Sequence, residues 1–200
     1  MPRQRPYHHG NLRETLLQAA IELIAEAGPE GFTLREVARR AGVSHNAPYR
    51  HFQDRAELLA AVASQGFQEL NQSMIAAADK QTDALGRLRG AGLAYVDFAL
   101  CRPEHFTAMF DAAMSGTSDE GARAFQTLVG LIEACQKGGT MPAGDPVQFA
   151  RVAWSLVHGI AKLAVAGRFP GWTRAKVLEF ARFAIDASFH GLIPQSARRT

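Results

Sequence analysis

Between Ser44 and His51 the chain reads SHNAPYRH, a hydroxyl, two imidazoles, an amide, a phenol and a guanidinium with no carboxylate among them. Side chains of this kind donate and accept hydrogen bonds at the edges of other molecules. The set Ser44, His45, Asn46, Tyr49, Arg50 and His51 therefore suits a DNA groove, where base edges and phosphates present a matching pattern. Arginines surround it. From Thr33 to Arg55 the chain holds Arg35, Arg39, Arg40, Arg50 and Arg55 against Glu36 and Asp54. Over the whole chain the 22 Lys+Arg and 19 Asp+Glu nearly cancel, to a net charge of +3, so any affinity for a polyanion belongs to this element and not to the total. Each residue also has a duller reading. Arg35, Arg39 and Arg40 can form a solvated face, Tyr49 and Phe52 can be core aromatics, and Thr33 and Ser44 are helix caps before they are phosphate ligands.

These side chains need short helices to hold them. Apolar residues recur at Leu16, Leu17, Ala20, Leu23, Ile24 and Ala27, the spacing of one helix face, with Asn11 as the expected cap and Gly28 as the stop. Thr33 and Glu36 stand three apart as a capping box that opens a second helix, which Gly42 ends. Ser44 is then expected to cap a third short helix after a turn of about three residues, with Pro48 distorting its first turn. Helices this short do not persist alone. Val37, Ala38, Ala41, Val43, Ala47 and Phe52 can close a small core against Leu16, Leu23 and Ile24, which makes a three-helix unit containing a helix-turn-helix.

Beyond it, Asp54 and Glu57 open a long helix that fades near Asp79. Further helices are expected from about Thr82 to Cys101, Pro103 to Met114, Glu120 to Lys137, Pro146 to Ala166 and Arg174 to His190. No β alternation, internal repeat or low-complexity segment is present. The fold class is all-α: an amino-terminal domain over 1–57 with a basic arm, joined by the long helix to a larger helical domain over 58–200.

Several function classes drop out. The sequence has no G-x-S-x-G, no phosphate loop and no H-E-x-x-H, and His8 with His9 is a poor metal site without partners, so neither an enzyme nor a resident metal or cofactor is expected. Cys101 and Cys135 belong to no C-x-x-C pair and read as buried free thiols of a reducing compartment. No apolar run approaches the roughly 20 residues of a membrane span, and MPRQRPYHHGN lacks the apolar middle of a secretory signal; a cytoplasmic protein without membrane contact is expected. Arg3 and Arg5 lie in a Pro-flanked arm that either runs along phosphates or is a solvated tail.

NLRETLLQAAIELIAEAG followed by FTLREVARRAGVSHNAPYRHFQDRAELLAAV resembles the amino-terminal domain of TetR-family transcriptional regulators over about 50 residues. The resemblance rests on Thr33, Ala41 to Ser44, Tyr49, Phe52 and Arg55. It implies that Thr33, Arg35, Ser44, Tyr49, His51 and Arg55 meet phosphates of double-stranded DNA, while His45, Asn46 and Ala47 face base edges. Pro48 stands where the family has an apolar residue, and Arg55 where Lys is commoner.

WSLVHG, Trp154 to Gly159, resembles the WHG-type carboxy-terminal domain of one branch of this family. It implies a homodimer through the last two helices and a pocket for a small-molecule effector among the middle ones. Val177, Ala181, Ala184 and Ser188 make a small-residue seam fit for such an interface, or for a monomer core. Phe98, Cys101, Phe106, Met109, Phe110, Trp154 and His158 are the expected pocket lining, or ordinary core, with His158 either a ligand donor or a satisfied buried histidine. With few acidic groups nearby, a neutral or weakly acidic apolar effector is expected. The reading is a ligand-responsive regulator, a repressor by family expectation; the alternative is an architectural helix-turn-helix protein with no effector.

Overall fold

The computed structural model describes residues 12–110 and 119–192. Among these residues the chain forms α-helices and one short 3-10 turn, with no strand: α1 Leu12–Ala27, α2 Leu34–Arg40, the 3-10 turn Pro48–Arg50, α3 Arg55–Ala78, α4 Ala84–Cys101, α5 Pro103–Met109, α6 Asp119–Lys137, α7 Pro146–Val165 and α8 Arg174–Leu192. Arg3, Arg5, His8, His9, Asn11 and the expected last residues of the fifth helix, 111–114, lie outside the described residues.

The helices fall into two compact units. One comprises residues 12–65 and 104–110, the other 66–103 and 119–192. The first compact unit thus runs to Gln65, beyond residue 57, and takes in α5 from Glu104 onward. The reason is packing. Leu58, Leu59 and Val62 of α3 and Ala108 of α5 belong to the same core as Leu16, Leu17, Leu23 and Ile24 of α1 and Leu34 and Val37 of α2. Burying Leu34 and Val37 contributes on the order of 2 kcal/mol each, which offsets the nucleation cost of a two-turn helix.

Local signals set the helix ends. Gly28, with φ +76°, stops α1. At α2 the capping box is complete: the Glu36 amide donates to Thr33 Oγ1, and the Thr33 amide donates to Glu36 Oε2 at 2.8 Å. Gly42, with φ +69°, closes α2 in a Schellman turn, its amide donating to Arg39 O and that of Val43 to Ala38 O. At α3 the Glu57 amide donates to Asp54 Oδ1 as expected, while the Glu57 carboxylate reaches back to the amide of Gln53.

In the second unit α4 lies against α6, α7 and α8. Gly92 makes the approach possible, because a Cβ there would stand 3.1 Å from Ile185 Cδ1 and 3.5 Å from Val157 Cγ1. Two ion pairs bind α8 antiparallel to α4: Arg174 grips both oxygens of Asp97 at 2.6 and 2.7 Å, and Arg89 Nε donates to Asp186 Oδ1 at 2.6 Å. Cys135 is buried as expected, and burial pushes its thiol up; Cys101 is exposed, contrary to expectation.

Candidate functional site

The third short helix does not form as an α-helix. From Ser44 onward the chain makes tight three-residue bonds: the Ala47 amide donates to Ser44 O, that of Arg50 to Ala47 O and that of His51 to Pro48 O. The cause is Pro48, which has no amide to give to Ser44 O and so removes the α-helical bond that would start there. Ser44 therefore does not cap a regular helix. Pro48 and Phe52 are buried, pinning the segment from below, with the Arg13 guanidinium 5.4 Å from the centre of the Phe52 ring.

This geometry sorts the expected contacts. Thr33, Arg35, Ser44, His45, Asn46, Tyr49, Arg50 and His51 are all exposed, Tyr49 by 52%, which removes it from the core. Ala47, for which the resemblance implies a base-edge role, is 8% exposed, the least exposed of the implied contacts.

The arginines divide in the same way. Arg40 turns back onto α1, donating to Glu26 through both terminal nitrogens and to Glu22 at 3.3 Å. These bonds hold the Glu26 carboxyl below its ordinary range. Arg55 donates to Pro29 O at 2.6 Å and to Glu30 Oε2 at 2.8 Å. Arg35, Arg39 and Arg50 around the turn, like Arg13 on α1, make no ion pair among the described residues. A count of charges along the sequence misses this division, because Glu22, Glu26 and Glu30 lie outside the window from Thr33 to Arg55.

Residues 16–62 match the family model of bacterial regulatory proteins of the tetR family, and residues 88–188 match that of the tetracyclin repressor-like C-terminal domain. A protein of unknown function from Rhodococcus sp. RHA1 superposes with a TM-score of 0.81 at 36% identity, covering 96% of this chain and 100% of that one. The chain belongs to the TetR family.

A bacterial regulatory protein of the tetR family from Rhodococcus RHA1, 20% identical, shares the fold of this TetR-family chain with a TM-score of 0.73 over 92% of it and 97% of the other protein. Among curated proteins, an HTH-type transcriptional repressor of Mycobacterium tuberculosis is 37% identical over 60 residues, 30% of this chain and 32% of that protein. The class C tetracycline repressor protein of Escherichia coli is 43% identical over 51 residues, 26% of this chain and 23% of that one. The chain thus spans about a third or less of the length of these two relatives. The matched families and named neighbours are regulators, not enzymes. No described helix is long and apolar enough to cross a membrane, and the described residues hold no group of three or more His, Cys, Asp or Glu placed for a metal ion.

The TetR-family body distributes the expected pocket residues over both units. Phe106, Met109 and Phe110 belong to the first, with the Phe106 and Phe110 rings 5.0 Å apart; Phe98, Cys101, Trp154 and His158 belong to the second. Phe98, Phe106 and Met109 are buried, whereas Cys101 is exposed. Trp154 and His158 meet around a residue that the sequence does not single out. Tyr95 of α4, buried, accepts a hydrogen bond from Trp154 Nε1 at 3.1 Å and lies 2.8 Å from His158 Nδ1. Phe125 of α6 meets the Trp154 ring edge-on at 6.2 Å. The indole N–H can only donate, so Tyr95 Oη is the acceptor in that bond, while the imidazole tautomer sets the direction of the bond between Tyr95 and His158. Burial, with Lys162 nearby, holds His158 below the ordinary imidazole range, and burial pushes the Tyr95 hydroxyl up. A signal for Tyr95 exists: it falls in register with Leu88, Ala91 and Phe98 on the buried face of α4, where a hydroxyl must find partners.

The expected seam on α8 divides between buried and half-buried positions. Val177 and Ala181 are buried within the chain beside Ile185 and Phe189, so they have no surface to offer a partner, while Ala184 and Ser188 are half-buried. On α7 and α8 the large apolar groups left outside are Phe183, 68% exposed, Val152 and Leu163, 54% and 48% exposed, and Trp154, 37% exposed. The small-residue pattern marks the side of α8 that α4 and α7 approach.

Proposed function

We propose that the chain is a ligand-responsive transcriptional regulator, a repressor, that binds a palindromic operator as a homodimer and is released by a small apolar effector. The observation that carries this reading is the exposed set Thr33, Arg35, Ser44, His45, Asn46, Tyr49 and His51, joined by Arg39 and Arg50, which make no ion pair among the described residues, on a unit whose Arg40 and Arg55 are turned inward. Guanidinium and hydroxyl groups position the protein on phosphates, and the amide and imidazoles read base edges. A dimer places two such surfaces in successive major grooves about 34 Å apart, which requires operator half-sites related by two-fold symmetry.

Dimerisation is assigned to the outer faces of α7 and α8. Val152, Leu156, Gly159 and Leu163 follow one another at intervals of four, three and four, an apolar stripe of the kind that packs helix on helix, and Phe183 with Ala187 continues it on α8. A Cβ at Gly159 would meet nothing within 4 Å, so the stripe has room for a partner's side chain there.

The effector site is assigned to the second unit, with Trp154, His158 and Tyr95 as its polar groups and Phe98 and Phe125 as apolar lining. All three polar groups are uncharged at neutral pH, which favours a neutral or weakly acidic ligand. Release of DNA requires the ligand to prefer the DNA-free form, and a tenfold loss of operator affinity corresponds to about 1.4 kcal/mol of preference.

The test is selection of random duplex DNA by the purified protein at about 0.15 M salt, where nonspecific phosphate binding is weakened. Enrichment of one palindrome is expected. Arg35→Ala should then weaken binding to all sequences alike, and Asn46→Ala should relax preference at one base pair. Recovery of unrelated sequences would remove the operator-reading function.

A further inference from the structure

We propose that Arg55 is a positioning residue of the DNA-reading unit and not a phosphate ligand: its guanidinium ties down the connection between α1 and α2 and so fixes where Thr33 and Arg35 stand. This inference rests on the DNA-binding reading above.

The connection runs from Gly28, where α1 stops, to Thr33, where α2 is capped. Its first half is held by the Gly31 amide donating to Gly28 O at 3.2 Å, and its far end by Phe32, buried in the core. Between these anchors the Pro29 carbonyl and the Glu30 carboxylate both receive Arg55, the first through Nη1 at 2.6 Å and the second through Nη2 at 2.8 Å. Arg55 is fixed in turn. It is the first residue of α3, whose start is capped by Asp54 and whose next turn inserts Leu58, Leu59 and Val62 into the core. The guanidinium is therefore a rigid fork joining the start of α3 to the α1–α2 connection.

Charge gives the second argument. Glu30 is exposed and acidic, in the same unit as Arg35, Arg39 and Arg50, which make no ion pair among the described residues. A carboxylate beside a phosphate-binding arginine competes with DNA for that arginine, whereas a carboxylate that holds a positioning arginine serves binding although it carries the wrong sign for a polyanion. The two roles predict opposite effects. If Arg55 meets phosphate, removing Glu30 frees it and strengthens DNA binding. If Arg55 positions the connection, removing Glu30 weakens binding. Lysine separates them again, because an ammonium keeps the charge a phosphate needs but cannot bridge a carbonyl and a carboxylate in one plane.

The decisive variant is E30Q/R55Q, which leaves the net charge unchanged. Full-length wild type, this variant, Glu30→Ala and Arg55→Lys are titrated with a mixed-sequence duplex of about 30 bp at salt concentrations from about 50 to 200 mM. Backbone hydrogen exchange is followed over residues 30–34 without DNA. Expected are affinities about tenfold lower for E30Q/R55Q and several-fold lower for Glu30→Ala and Arg55→Lys, a wild-type salt slope for E30Q/R55Q, and faster exchange in the connection. A salt slope lower by about 0.9 would assign one phosphate contact to Arg55 and overturn the proposal. So would tighter binding by Glu30→Ala, wild-type affinity in Arg55→Lys, or unchanged exchange in E30Q/R55Q. Wild-type protein that fails to bind the duplex even at the lowest salt overturns the DNA-binding reading itself, and the proposal with it. If E30Q/R55Q does not fold, Arg55→Lys and Glu30→Ala decide by the same outcomes.

Discussion

The hydroxyl of Tyr95 on α4 lies 2.8 Å from Nδ1 of His158 on α7, and the same oxygen accepts the indole proton of Trp154 one turn earlier on α7. One buried phenol thereby joins two side chains 59 and 63 residues away in sequence. It is a polar link between α4 and α7. Its removal is the most direct way to ask what the body's polar groups contribute.

Tyr95→Phe keeps the ring and deletes the hydroxyl, so Trp154 and His158 each lose a partner. A lost bond that leaves buried polar atoms poorly satisfied costs about 1 to 3 kcal/mol, and the partial exposure of Trp154 places the expected loss near the lower end. Urea unfolding should show a lower midpoint with an unchanged slope. An unchanged midpoint would mean that water replaces the hydroxyl at no cost.

The same cluster makes stability depend on pH. In the unfolded chain the His158 imidazole takes up a proton near its ordinary value of 6.5, whereas burial in the folded chain lowers that value. Between the two values the unfolded state binds more protons, so stability rises with pH there. The contribution is fully present above about 6.5 and is lost as pH falls below it. Urea midpoints measured from pH 7.5 down to pH 5 should fall less steeply for His158→Gln than for wild type; parallel curves would refute the assignment.

Gly42 supplies a backbone test in the reading unit. At φ +69° it occupies the left-handed region and closes the Schellman turn from which Ser44 follows, and a Cβ added there would meet nothing within 4 Å. Gly42→Ala should cost about 1 to 2 kcal/mol through backbone conformation alone. Thermal unfolding reads the loss, and a neutral result would show that the turn relaxes.

Two substitutions on α8 should part company. Phe183→Glu alters a side chain 68% exposed in the single chain, so folding should survive while sedimentation shifts from the proposed dimer to monomer. Val177→Ala removes methyls from a site 4% exposed and should destabilise the fold by about 1 to 2 kcal/mol without changing assembly in the folded protein. A Phe183→Glu protein that sediments as wild type would move the interface elsewhere.

Most helix boundaries are legible in the sequence because their signals are local. The Thr33 and Glu36 pair, Gly28, Gly42 and the Asp145–Pro146 start act within one turn of themselves, and the structure places each at a helix end. The third short helix differs from expectation although its cause is in plain view. A proline at position 48 is expected to distort the first turn, but in a segment this short the loss of that one amide leaves a 3-10 turn over Pro48–Arg50 in place of an α-helix, with a single α-type bond from the Phe52 amide to Pro48 O at its end. Ala47 is ambiguous for a related reason: one methyl in a turn of undetermined pitch faces either the core or the groove.

What the sequence determined by itself is the all-helical chain, the helix-turn-helix segment and the polar set from Ser44 to His51, because capping, glycine stops and apolar periodicity depend on neighbours a few residues apart. Only the tertiary structure decided which arginines are free, where the first unit ends, and which side of α8 is outside. Each depends on residues distant in sequence: Arg40 is claimed by Glu22 and Glu26, Arg55 by Pro29 and Glu30, and Val177 and Ala181 by the chain's own core. A guanidinium's partner and a methyl's exposure are set by what the fold brings beside them, and no spacing along the chain encodes that.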